Sequence, residues 1–89
     1  MFTLREIQSI DTNYFHIIDA NLFTVTVQSQ STKHCWHIEH QSYPHFSSCK
    51  IYHTHNTSTP YHLHGHATTL HKALIQIMEH DAFQLNHRK

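Results

Sequence analysis

His34-Cys35-Trp36-His37-Ile38-Glu39-His40 and Cys49-Lys50-Ile51-Tyr52-His53-Thr54-His55 are two stretches that set each other's register. In both, the apolar positions alternate, as in strands with one face buried. Antiparallel partners have residue numbers of constant sum, and side chains alternate between faces with period two. A sum of 89 places Trp36 opposite His53, Ile38 opposite Ile51 and His40 opposite Cys49. The other face then sets His37 against Tyr52 and Glu39 against Lys50. Such an opposite-charge pair contributes roughly 0.2–1 kcal/mol, so the apolar pairing is the stronger determinant. A slip of one residue would carry Trp36 and Ile38 to the face away from Ile51.

The same rule extends toward the N-terminus. Residues 14–18 and 22–28 alternate, and Asp19-Ala20-Asn21 joins them, with Asn suited to a left-handed turn position. A sum of 63 pairs Val25 with Ile38 and Val27 with Trp36. A sum of 40 pairs Phe15 with Val25 and Ile17 with Phe23. One apolar face results, made of Phe15, Ile17, Phe23, Val25, Val27, Trp36, Ile38 and Ile51. The opposite face is mostly Thr, His, Glu, Lys and Tyr, the pattern of a meander with one solvated side.

Two helices flank these strands. Thr3 and Glu6 form a capping-box signature, and Phe2 and Ile7 occupy staple positions. Residues 4–10 therefore read as a short helix, with an edge strand as the alternative. Leu70, Ala73, Leu74, Ile77 and Met78 follow helical spacing, with Thr68 or Thr69 as cap. Their stripe needs a partner, and the meander supplies one. The expected fold is an α+β two-layer sandwich over residues 1–89. A four-stranded antiparallel meander is covered on one face by a short N-terminal and a longer C-terminal helix, in the order α-β-β-β-β-α.

Histidine dominates the composition. There are 13 in 89 residues, against six Lys plus Arg and six Asp plus Glu, so the formal charge is zero with His neutral. Charged residues make up 13%, about half of what soluble domains carry. The balanced charge argues against an electrostatic nucleic-acid binder. No apolar run approaches the roughly 18 residues of a membrane span. Residues 1–6 lack the basic and apolar regions of a secretory signal, and two cysteines make no disulfide framework. A cytoplasmic location is the expectation.

Three groups of residues invite chemistry. His62, His64 and His66 alternate, so an extended segment would aim all three imidazoles to one side. Neutral imidazole ligates zinc, nickel and copper. His53 and His55 repeat the spacing, and His34, His37 and His40 form a third group. The metal-ligand candidates are His62, His64 and His66, with His53 or His55 as helpers. Cys35 and His37 with Cys49 and His53 would suit zinc, but the register separates them onto opposite faces, and it disfavours a Cys35–Cys49 disulfide likewise. Tyr14, His16, His37 and Tyr52 lie on the polar face. Their apolar bodies and polar tips suit an interface with a protein partner, including a second copy. No Gly-rich phosphate loop or suggestive carboxylate pair is present, so no enzyme is expected.

The run Gly65-His66-Ala67-Thr68-Thr69-Leu70-His71-Lys72-Ala73-Leu74 resembles the glycine, threonine-leucine and alanine-leucine helix start of HicB-type antitoxins. A meander followed by a packed helix is also similar in outline to the double-stranded RNA-binding domain. These resemblances imply an RNA- or DNA-binding regulator. Lys72 is the one charged residue at that helix start, and neutral histidine supplies no phosphate attraction. The leading expectation is a small non-catalytic interaction module whose partner is another protein or a second copy. Histidine-based binding of zinc, nickel or copper stands second, and an antitoxin-like nucleic-acid binder third.

Overall fold

A computed structural model describes residues 1–43, 46–56 and 58–87. In chain order the elements are α1 (Leu4–Gln8), β1 (Phe15–Ala20), β2 (Thr24–Ser29), β3 (Cys35–Tyr43), β4 (Phe46–Thr54), β5 (His62–Ala67) and α2 (Leu70–His87). The five strands form one antiparallel sheet in sequence order. α2 covers one face, so the class is α+β as expected. The strand count is five rather than four, because the histidine-rich segment at 62–67 pairs with β4.

The central register follows from the apolar alternation. β3 and β4 pair Trp36 with His53, Ile38 with Ile51, His40 with Cys49 and Glu39 with Lys50. β2 and β3 pair Val25 with Ile38 and Val27 with Trp36. The buried face holds Val25, Val27, Trp36, Ile38 and Ile51, all with no exposed surface.

The first hairpin differs from expectation. Phe15 faces Ser29 and Ile17 faces Val27, four residues beyond their expected partners. The cause is Asn21. Its side-chain oxygen accepts from the backbone N–H groups of Phe23 and Thr24, which makes residues 21–23 the turn. Asn thus acts through its side chain, while Lys33 is the described non-glycine residue with positive φ. Phe23 is carried into the turn and is 59% exposed. The shift is even, so Phe15 and Ile17 keep the core face. A bulge at Ile18 then leaves that side chain exposed.

Both helices dock on the apolar side. Around α1 the capping box forms: Glu6 N–H donates to Thr3 Oγ1, and Thr3 N–H donates to the Glu6 carboxylate. Phe2 is buried, with its ring edge-on to His40. At the start of α2, Thr69 Oγ1 accepts from the Lys72 N–H. Leu70, Ala73, Leu74 and Ile77 are buried, while Met78 sits at the rim of the stripe, 37% exposed. One turn beyond Ile77 the stripe continues as Asp81, which is fully buried. Asp81 accepts hydrogen bonds from the Tyr14 hydroxyl at 2.6 Å and the Thr32 hydroxyl at 3.2 Å, anchoring the helix to the entry of β1. Among the described residues, no helix is long and apolar enough to cross a membrane.

Candidate metal centre

The ladder that aligns Trp36 with His53 also builds a histidine cluster. His53 stands opposite Trp36 on one side and His62 on the other. One step beyond the Cys35–Thr54 pair, His34 meets His55, and their rings stack at 4.6 Å with 9° between planes. By the two-residue alternation, His34 and His55 share the face of Trp36 and His53. α2 adds His80 from above.

His53 is the centre of the cluster. Its ring stacks on Trp36 at 4.0 Å and 16°. The rings of His34, His55, His62, His64 and His80 all lie within 5.8 Å of it. His53 Nε2 and His34 Nδ1 are 3.1 Å apart, so one of the two imidazoles donates and the other accepts. His34 and His53 are buried, and His55 is exposed. Trp36 Nε1 and His80 Nε2 are buried without a hydrogen-bond partner.

One nitrogen from each of His34, His53 and His55 can be chosen so that all three lie within 4.8 Å of one another. A tetrahedral ion with bonds of about 2.0–2.1 Å holds its nitrogens about 3.3–3.4 Å apart. The His34–His53 pair is already near that spacing, and rotation of the exposed His55 ring can bring the third nitrogen in. Electrostatics favours the ligating form. Burial, followed by the positive charges that His34, His55, His80 and His62 would carry, pushes His53 down to about 3. His64 is lowered by burial and then by His80 and His62. A neutral imidazole offers a lone pair, and a protonated one does not.

The expected ligand set is only partly assembled. Between Ile51 and Tyr52 the β5 partner jumps from Gly65 to Leu63, so His64 is an extra, bulged residue. The bulge resets the alternation. His62 and His64 reach the Trp36 side, whereas His66, opposite Lys50, goes to the other face. The three imidazoles expected on one side are therefore split two to one. His55, an expected helper, joins the converging group, and His34 enters it without having been a candidate. The sum of 89 that pairs Trp36 with His53 also pairs 34 with 55, so the signal was present.

The interaction face also changes. Tyr14 lies before β1 with its hydroxyl on Asp81, so it belongs to the helix side. Burial, then the Asp81 hydrogen bond, raises this phenol to about 12. His16, exposed, remains at the β1 edge opposite Gln28. His37 accepts from or donates to the Thr26 hydroxyl at 2.9 Å, and its ring lies 6.1 Å from Tyr52 and 6.0 Å from Tyr61. Cys35 and Cys49 are both buried and unbridged. Burial raises both thiols, Cys49 to about 11, which keeps them protonated and unreactive. The chain matches no protein-family model, no curated protein and no solved structure.

Proposed function

We propose that this protein binds one divalent transition-metal ion of the zinc, nickel or copper class through His34, His53 and His55. The observation that carries the reading is the convergence of three imidazole nitrogens within 4.8 Å, two of them on buried rings. Buried polar groups are costly unless satisfied. The His34 and His53 rings already meet through a nitrogen–nitrogen contact of 3.1 Å, close to the spacing that two ligands of one tetrahedral ion would have. His62, His64 and His80 form the surrounding wall. The test is titration with zinc and with nickel, followed through Trp36, the only tryptophan in the chain. One ion per chain should bind at about 1 μM or tighter, equivalent to about −8 kcal/mol. His34→Ala and His53→Ala should abolish that binding, and His66→Ala on the opposite face should leave it intact. Equal losses from His66→Ala and His34→Ala would refute the assignment.

A second reading, protein docking through the open sheet face, draws on Leu63. It is 51% exposed and stands opposite Tyr52, which in turn stands opposite His37. An apolar group of this kind suits the centre of an interface with a second copy. Light scattering over a concentration series tests it. A dimer broken by Leu63→Asp supports docking, and a monomer at every concentration rules out self-docking.

A further inference from the structure

Three neutral imidazoles leave the double charge of a bound ion uncompensated. Thiolate or carboxylate ligands would offset it, but the converging group contains neither. The nearby buried carboxylate, Asp81, is turned toward Tyr14 and Thr32. With three protein ligands, a zinc-type ion keeps a fourth position for an outside group. An open cavity of about 270 Å³ adjoins the cluster at His55 and His62. Thr54, Asn56, Thr59 and Pro60 complete its walls. That volume exceeds the roughly 30 Å³ share of one water several-fold. Among the described residues, the walls carry hydroxyl, amide and imidazole groups and no negative charge.

We propose that the ion held by His34, His53 and His55 takes a small carboxylate anion as its fourth ligand, seated in this cavity. This rests on the metal reading above. One carboxylate oxygen would bind the ion, and the other would accept a hydrogen bond from the His62 imidazole, the ring beside His53. Charge selects the class. A monoanion reduces the net charge of the centre without overshooting. Phosphate is usually gathered by Arg, Lys or a helix N-terminus, and among the described residues no such group lines these walls. The fourth ligand is therefore a small monocarboxylate.

Cobalt(II) supplies a spectroscopic stand-in for zinc, because its visible bands respond to the identity and number of ligands. The protein is loaded with one equivalent of cobalt(II) and titrated with sodium acetate, in parallel with sodium phosphate. Acetate should shift the bands saturably, and phosphate at the same concentration should not. Thr59→Phe, which fills the cavity, should weaken acetate about tenfold and leave cobalt affinity unchanged, and His62→Leu, which removes the donor, should weaken acetate by a similar factor. Bands that ignore acetate would mean that water or a protein group keeps the fourth position, which overturns the proposal and leaves the metal site standing. Tighter phosphate than acetate binding overturns the class of ligand. Unchanged acetate affinity in both variants overturns the cavity placement. Failure to bind cobalt at all overturns the metal reading itself.

Discussion

The metal-free protein should lose stability sharply in mild acid, and His53 sets the amount. In the unfolded chain this imidazole titrates near 6.5, and in the fold burial and its histidine neighbours hold it at about 3. The unfolded state therefore binds the proton first. The contribution of neutral His53 to stability is complete above about pH 6.5 and is lost progressively as pH falls toward about 3. Between about pH 7.5 and about pH 5, the unfolded imidazole goes from about one-tenth to nearly fully protonated, while the folded one stays neutral. Linkage converts that difference to about 2 kcal/mol. The folded value lies well below the lower pH, so the folded imidazole stays neutral across the interval. His64 is shifted in the same direction and adds to the loss. The assay is urea denaturation followed through Trp36, in the presence of a chelator, at the two pH values. His53→Phe keeps an aromatic ring on Trp36 and removes the titrating group. Its loss between the two pH values should be smaller than the parent's by about 2 kcal/mol. The same pH dependence in parent and variant would refute the reasoning, since the proton would then be taken up elsewhere.

Other perturbations probe the scaffold. Trp36→Ala removes a fully buried indole from between sheet and helix, and should cost about 3–5 kcal/mol in denaturant unfolding. Asp81→Ala leaves the Tyr14 and Thr32 hydroxyls without their acceptor, and should cost about 3 kcal/mol in the same assay. Tyr14→Phe should cost about 1–2 kcal/mol, because the carboxylate keeps its Thr32 bond. Lys33→Gly relieves a residue held at φ 66°, and should raise stability by up to about 1 kcal/mol, measured as the shift in the urea midpoint.

The centre of the sheet was legible because Trp36, Ile38 and Ile51 leave one register that buries all three. Its edges were not. At β1 the apolar pattern tolerated several even shifts, since each keeps Phe15 and Ile17 on the same face. The choice among them was made by the Asn21 side chain in the turn. β5 lacks a hydrophobic alternation, for Leu63 and Ala67 are its only ordinary apolar residues and they lie on opposite faces. It is a strand because β4 offers an edge to pair, which is a tertiary cause. The candidate site divides the same way. His34 and His55 were readable from the sum that places Trp36 against His53. The loss of His66 to the far face follows from the bulge at His64, and no composition signal marks it. His80 and Asp81 join only when α2 crosses the sheet, so one extends the cluster and the other takes Tyr14 from the open face.

The most direct measurement is the anomalous scattering of zinc in crystals grown with one equivalent of the ion. A single strong peak is expected among His34, His53 and His55, about 2.0–2.1 Å from one nitrogen of each. A peak held by other histidines such as His66 or His71, or no ordered zinc at all, would contradict the account.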